Sequence, residues 1–166
     1  MKVALFILKG DIKVTTKKVF LAGPFKSLVD VNTGLMSLHE REKLESLISF
    51  FENEGWLVHN AHKREGWGKD FMTPQQCTKI DFDEIRSCDL FVAFPGSPAS
   101  PGTHIEIGWA SALKKKIVLL LENERDYAFL IQGLSVVADV EYINFKGTDD
   151  LLEKIKSTLM EYKVES

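Results

Sequence analysis

Short apolar runs alternate along the chain with longer segments in which apolar residues recur every three or four positions. The short runs predict β-strands, and the longer periodic segments predict amphipathic helices. Their alternation favours an α/β fold on a mostly parallel, doubly wound sheet with helices on its faces. The predicted strands are residues 3–8, 19–22, 56–59, 90–94, 117–121 and 140–145.

The helices are predicted from the residues that precede them. In a capping box, a Ser or Thr is followed three positions later by Glu or Gln, and each side chain bonds the other's backbone N–H. Ser37, Thr73 and Thr103 each begin such a pattern, and Thr148 is predicted to cap the last helix. Pro74 strengthens the second start, since proline suits the first helical position. The helix after Ser37 should end near residue 55.

The same pattern predicts the N-terminal segment and the loops. Only ten residues without helical periodicity separate the first two predicted strands, so residues 1–17 are predicted to be a peripheral strand extension. The longest irregular stretches are 24–34, 60–72 and 95–102. All three follow predicted strand ends, which is where open α/β sheets bind ligands.

Composition narrows the class of protein. The 166 residues suit a single domain, with its core at about 18–162, and 45% of them are hydrophobic. A net charge of −3 without a long basic run argues against a nucleic-acid polymer as partner. No apolar stretch approaches the ~18 residues of a membrane span. Cys77 and Cys88, roughly 16 Å apart on one predicted helix, are too distant to bridge, so we expect a cytoplasmic protein.

The segment 89–106 contains the most informative chemistry. A buried strand runs into a loop rich in Gly, Pro and Ser, and then into a helix with Glu106 in its first turn. Gly96 and Gly102 let a ligand approach the backbone, and the free N–H groups of a helix start can hold an anion or a sugar hydroxyl. The alternative is that Glu106 merely completes the capping box, and spacing alone favours that alternative.

A second carboxylate lies upstream. Asp81 is four residues before the apolar Ile85, on one face of the predicted helix, so it can point toward the sheet end. Alone, it is more simply a solvated helix residue. Two carboxylates in one cleft, however, are what glycosidic bond cleavage requires: one attacks or stabilises the anomeric carbon, and the other handles a proton.

Other chemistries have little support in the sequence. His59 and His62 lack a third ligand at metal spacing, so we expect no metal site. There is no dinucleotide-binding, P-loop or serine-hydrolase motif, and no cofactor is expected. Aromatic residues in predicted loops can stack on a base or fold back over the core; these are Phe25, Trp67 and Phe71. The stretch 60–73, with Arg64, Trp67 and Lys69, is predicted to shape a base pocket.

Three segments together resemble the nucleoside 2-deoxyribosyltransferase superfamily. They are VFLAGPF at 19–25, IDFDEIRSCDLFVAFPG at 80–96 and SPGTHIEIGWASALKKKIVLLL at 100–121. The superfamily contains 2-deoxyribosyltransferases and nucleoside 5′-monophosphate N-glycosidases, among them CMP hydrolases. The resemblance covers roughly residues 18–133 and implies a flavodoxin-like fold with a five-stranded parallel sheet.

The resemblance also implies roles for single residues. Glu106 matches the nucleophile that forms a glycosyl-enzyme, and Asp81 matches the carboxylate that assists protonation of the leaving base. The residues that match the lining of the sugar, base or phosphate site are Phe20, Gly23, Phe25 and Lys26. Phe20 replaces a frequent family Tyr, so a hydroxyl that could orient the nucleophile is missing.

Position 100 separates the branches of the superfamily. The deoxyribosyltransferases have an Asp six residues before the nucleophile, which binds the 5′-hydroxyl, whereas the nucleotide N-glycosidases have a phosphate-binding Ser. This chain has Ser100 there, with Gly102 and Thr103 as further candidate contacts. The family completes its site with a Ser of a neighbouring subunit, which implies a homodimer or larger assembly. The matching position here is Ala128, and either Tyr127 or Arg125 could substitute.

The sequence therefore predicts an enzyme that cleaves the N-glycosidic bond of a nucleoside 5′-monophosphate without metal or cofactor. Three alternatives stay open. They are base exchange by a 2-deoxyribosyltransferase, a TIR-like NAD glycohydrolase, and a nucleotide-sensing module that has lost turnover.

Overall fold

The computed structural model describes residues 16–25 and 28–164. Its strands are β1 (Lys18–Ala22), β2 (Leu57–His59), β3 (Leu90–Ala93), β4 (Lys116–Glu122) and β5 (Val140–Phe145). Its helices are α1 (Leu38–Asn53), α2 (Ala61–Arg64), α3 (Pro74–Ser87), α4 (Pro101–Ala112), α5 (Phe129–Gln132) and α6 (Thr148–Val164), with 3₁₀ turns at Gly66–Gly68 and Leu134–Val136.

The five strands form one parallel sheet in the order β2-β1-β3-β4-β5. This is the flavodoxin-like order, in which the connections wind outward in both directions from the first strand. The predicted fold is confirmed, and each of these five strands lies within one or two residues of its prediction. The strand predicted at 3–8 lies outside the described residues.

Alternating side chains of the sheet fill two separate cores. Val19 and Leu21 of β1 belong to the core shared with α1 and α6, whereas Phe20 and Ala22 belong to the core shared with α3 and α4. The central strands are therefore apolar on both faces, as expected for a parallel sheet covered on both sides. Within the described ranges, no helix is long and apolar enough to cross a membrane.

The helix starts were predicted with mixed success. Ser37 accepts a hydrogen bond from Glu40 N, and the capping box at Thr73 is complete. The capping box predicted at Thr103 is wrong, because α4 begins two residues earlier, at Pro101, with Ser100 as N-cap. Proline has the backbone angle that the first helical position needs, so Pro101 determines the start. Thr148 is itself the first residue of α6 and does not precede it.

The prediction of irregular structure over residues 60–72 is wrong in part, because this stretch contains α2. Asn60 caps the helix by accepting a hydrogen bond from Lys63 N at 2.9 Å. Asparagine is among the strongest N-cap residues, so this signal was present in the sequence. The short helix holds His62 against Pro24, just after β1, and Arg64 against Asp81 of α3.

Candidate active site

A cavity of about 560 Å³ opens at the carboxyl ends of β1 and β3, between the segments that follow β1, β2 and β3. This is the edge at which parallel α/β sheets bind ligands. Its wall includes every predicted site residue except Lys26, which lies outside the described residues. The predicted residues on the wall are Phe20, Gly23, Phe25, Asp81, Ser100, Gly102, Thr103 and Glu106.

Glu106 lies in the second turn of α4, half-buried on the cavity wall. Because α4 begins at Pro101, Glu106 is too far along the helix to serve its cap. No residue of the described ranges donates a hydrogen bond to its carboxylate. Burial raises the pKa of Glu106 to about 8, nearby Asp81 adds to the rise, and Arg64 partly opposes it. The protonated form therefore predominates at neutral pH in the ligand-free protein.

Asp81 lines the same cavity from α3, where it is buried and held by hydrogen bonds. Its Oδ1 accepts a hydrogen bond from Arg64 Nη1 at 2.6 Å and lies 3.5 Å from His59 Nε2. Burial by itself would raise the pKa of Asp81, but the adjacent His59 and Arg64 outweigh it and leave the pKa below its usual value. One carboxyl group of the pair is thus ionised and fixed, whereas the other is protonated and without a donor.

Phe20 forms part of the support for this arrangement. Its ring is 1% exposed and stacks on His59, with centroids 5.0 Å apart, and on Phe91 at 5.5 Å. The Phe20 ring therefore holds the His59 ring beside Asp81. Phe20 thus contributes a stacking surface and no hydroxyl group at this position.

The start of α4 presents polar groups at another part of the cavity. Ser100 is the N-cap residue, yet its side chain makes no capping hydrogen bond. Its Oγ instead accepts a hydrogen bond from Thr103 Oγ1 at 3.0 Å, which leaves its own O–H free to donate elsewhere. The first N–H groups of a helix have no partners within the helix, so the backbone here also offers donors.

Gly96 fits the loop between β3 and α4 against the loop after β1. Its φ is +86°, and a Cβ atom there would lie 2.8 Å from Pro24 Cγ and 2.9 Å from the Pro98 carbonyl oxygen. A side chain would separate the two loops, so glycine is required for this close approach.

Aromatic side chains line the part of the cavity near α2. The rings of Phe25 and Phe71 lie 5.3 Å apart, and Phe71 is 47% exposed. Trp67 does not line the cavity but packs against the core, which was the alternative expected for these rings. The Arg41 guanidinium lies 4.9 Å from the centre of its ring. Two of the three candidate stacking residues therefore reach the cavity.

A buried histidine of the cavity wall, His62, links the segment after β1 to the start of α2. Its Nε2 donates to the Pro24 carbonyl at 2.8 Å, and its Nδ1 accepts from the Asn60 amide at 3.1 Å. The same amide group donates to the Leu21 carbonyl at 2.9 Å. Burial lowers the pKa of His62 to about 4, so the ring is neutral, as these partners require.

The segment 124–133 does not reach this cavity in its own chain. Tyr127 Oη accepts a hydrogen bond from Glu122 N at 2.7 Å, and Arg125 and Tyr127 line a separate cavity of about 220 Å³. Ala128 is the N-cap residue of α5. Within the described part of the chain, no cluster of three His, Cys, Asp or Glu side chains is arranged to hold a metal ion.

Comparison with known proteins identifies the family. The family model for nucleoside 2-deoxyribosyltransferase matches residues 19–164, and the chain belongs to that family. The chain is thus an enzyme of the N-glycosidase and glycosyltransferase class. A search of curated proteins found no match.

Two solved structures are similar in both sequence and fold. BlsM is 50% identical over 84% of this chain and 87% of its own, with a TM-score of 0.74. The CMP N-glycosidase BcmB of Clostridium botulinum is 44% identical over 84% of this chain and 99% of its own, with a TM-score of 0.65.

Proposed function

We propose that this enzyme hydrolyses the N-glycosidic bond of a nucleoside 5′-monophosphate, releasing the free base and ribose or deoxyribose 5-phosphate. The observation that carries the proposal is that Glu106 and Asp81 line one cavity and have unlike surroundings. Glycoside cleavage uses two carboxyl groups in one cleft, one as nucleophile and one as acid. In the ligand-free protein the proton is on Glu106, so the proposed roles require it to move to Asp81 when the substrate binds. The similar protein BcmB is a CMP N-glycosidase, which supports a nucleotide as the substrate class.

In this mechanism the pair works with a single proton. The proton is on Glu106 before the substrate binds and passes to Asp81 as the sugar positions itself. The Glu106 carboxylate then bonds to the anomeric carbon while the carbon–nitrogen bond breaks. The electron pair of the broken carbon–nitrogen bond leaves with the base, and the base takes the proton from Asp81. Water later cleaves the glycosyl ester and restores the proton to the pair.

The start of α4 is the proposed phosphate site. Ser100 can donate its hydroxyl proton, and the backbone N–H groups of Gly102 and Thr103 lie at the positive end of the helix dipole. There is no Asp or Glu between residues 95 and 105 to repel a dianion. Lys26 is a further proposed contact. Glu106 lies one turn along the helix, which is consistent with a phosphate bound toward the 5′ end of the sugar.

We also propose that the working form is a homodimer or larger assembly. Four large apolar side chains around α5 are between 77% and 89% exposed, namely Phe129, Leu130, Val136 and Val137. An exposed apolar group of this kind is typical of a protein interface. Ala128 adjoins this apolar group. In the proposed assembly, the segment 124–133 of one subunit would reach the cavity of its neighbour. A fully active monomer in sedimentation velocity at micromolar concentration would contradict this part of the proposal.

A cytoplasmic location completes the proposal. Cys77 and Cys88 are both unpaired, and burial raises the pKa of the Cys88 thiol to about 11. Free thiols of this kind suit a reducing compartment.

Base exchange is the second candidate, and the name of the matching family favours it. Both reactions form the same glycosyl-enzyme and differ in whether water or a second base intercepts it. A single assay separates the candidates: the enzyme is incubated with nucleoside monophosphates, nucleosides and NAD, with and without an added base, and products are separated by chromatography.

We expect free base from a nucleoside 5′-monophosphate and much less from its nucleoside. A new nucleoside in the presence of the added base would favour exchange. Nicotinamide release from NAD would favour the glycohydrolase alternative. Tight nucleotide binding without any product would indicate a sensing module.

A further inference from the structure

Arg64 does not lie on the wall of the cavity, although the sequence suggested it for the base pocket. It lies behind Asp81, at the end of α2, with its side chain largely buried. Nη1 is 2.6 Å from Asp81 Oδ1 and 3.0 Å from His59 Nε2, and Nη2 is 2.8 Å from Glu65 Oε1. A single guanidinium thus contacts two carboxylates and an imidazole.

We infer that Arg64 is a positioning residue of the reaction, which fixes the Asp81 carboxylate and sets the pH range in which the carboxyl pair holds one proton. The inference rests on the proposed function. Arg64 contacts no substrate in this scheme and acts through Asp81. Its planar fork can hold two carboxylates at once, which an ammonium group cannot do with the same geometry.

The charges around the pair explain why a single cation has this influence. Asp81, Glu65 and Glu106 carry up to three negative charges near one guanidinium. Asp81 and Glu65 form ion pairs with Arg64, whereas Glu106 has none and keeps its proton. Other ionisable groups face the pair or its neighbours from β1, β2, α2 and α3, namely Lys18, His59, His62 and Glu84.

Two substitutions have opposite expected effects. Loss of the cation in Arg64→Gln removes an attraction from both carboxylates, so both members of the pair should bind their protons more tightly. In Glu65→Gln, the competing anion is removed and Arg64 interacts more strongly with Asp81, so the pair should bind protons less tightly. Opposite charges at this range shift a carboxyl pKa by about 1–3 units.

The test is the pH dependence of kcat/KM for base release from CMP, measured on the full chain. In the parent, activity should fall above about pH 8, where the pair loses its proton. This alkaline limb should move up by about one pH unit in Arg64→Gln, and down in Glu65→Gln. Arg64→Lys should move it less, while lowering kcat/KM by roughly tenfold because the fork is lost.

Lys63→Met is the matched control. It removes a cation from the same short helix, but Lys63 is exposed and pairs with Glu52 at 3.0 Å, away from the cavity. The alkaline limb should not move in this variant. If Arg64→Gln fails to fold, Arg64→Lys and Glu65→Gln still test the direction of the effect.

Carboxyl NMR titration of Asp81 separates this inference from the proposed function. The Asp81 pKa should rise in the Arg64 variants and fall in Glu65→Gln, whether or not CMP is a substrate. Unchanged titration of Asp81 in Arg64→Lys and Glu65→Gln, or shifts in the same direction, would overturn the inference. Normal titration shifts without base release from any nucleotide would instead overturn the proposed function.

Discussion

The two helices that carry the carboxyl pair begin in contrasting ways. At the start of α3, Thr73 and Gln76 exchange side-chain-to-backbone hydrogen bonds, and the capping box is complete. At the start of α4, the Ser100 side chain makes no cap bond, although serine is a strong N-cap residue. The first helix start is satisfied by its own sequence, whereas the second is left with donors that face a cavity.

This difference distinguishes a start that stabilises the fold from a start that can bind a ligand. Both helices have the same dipole and the same first-turn N–H groups. In α3 the Thr73 side chain accepts a hydrogen bond from one of these N–H groups. In α4 an anion such as a phosphate can accept hydrogen bonds from them, and the free Ser100 hydroxyl adds a further donor.

The largest effect is expected at Glu106, which belongs to the uncapped helix but is not part of its start. Glu106→Gln should lower kcat by roughly three orders of magnitude or more, as loss of a nucleophile does, while the fold survives. Steady-state kinetics with circular dichroism measures both. Asp83→Asn is a matched control on α3, since Asp83 pairs with Lys79 and Arg86 at the surface. Parental turnover in Glu106→Gln would exclude this residue as nucleophile.

The contrast between the helix starts is tested most directly by placing a carboxylate at each. Ser100→Asp should shrink the preference for nucleotide over nucleoside by roughly 10- to 100-fold, because the new charge repels a phosphate dianion. Thr73→Asp, the control, keeps a good cap residue and should leave that preference unchanged. Comparison of kcat/KM for CMP and cytidine provides the measurement. Equal kcat/KM values for CMP and cytidine in the parent enzyme would contradict a phosphate site at Ser100.

The raised pKa of Glu106 predicts that this residue lowers stability in alkaline solution. A carboxyl group whose pKa is about 8 when folded, against 4.5 ordinarily, binds its proton more tightly in the folded state. Its contribution is therefore fully present below pH 4.5 and is lost as pH rises through 8. Glu106→Gln should exceed the parent in free energy of unfolding at pH 9 by on the order of 2 kcal/mol, with a smaller gain at pH 5. Urea unfolding at the two pH values decides this.

The smallest effects complete the comparison. Thr73→Ala should lower the free energy of unfolding by about 1 kcal/mol and leave kcat/KM unchanged, since it removes a cap. Ser100→Ala loses no cap bond but does lose the hydrogen bond from Thr103 Oγ1, so it should lower the free energy of unfolding by about 0.5 kcal/mol, less than Thr73→Ala does. It should weaken nucleotide binding by about tenfold. Thermal unfolding and calorimetric binding of CMP measure the two quantities. Weaker nucleotide binding in Thr73→Ala, without weaker binding in Ser100→Ala, would contradict the roles given to the two helix starts.

Sequence patterns predicted the fold well because its strands are apolar on both faces and most helix starts carry local signals. The Thr103 pattern misled for a physical reason: Thr-x-x-Glu resembles a capping box, but Pro101 starts the helix earlier. The position of Arg64 could not be predicted locally. It meets Asp81, 17 residues away, only after α2 and α3 pack beside β1. The candidate site residues were predicted from motif and resemblance, whereas the contacts of Arg64 behind them arise only from tertiary packing.

The neutral His62 also has a consequence for how molecules move through the cavity. Both of its ring nitrogens are occupied, one by the Pro24 carbonyl and the other by the Asn60 amide, and protonation would set two N–H donors against each other. Pro24, just after β1, is therefore held by His62 throughout the neutral range. Under the proposed function, the nucleotide and its products pass the Phe71 ring, which lines the same cavity and is 47% exposed. Product release, and with it the turnover rate, should respond to the size of the side chain at that position.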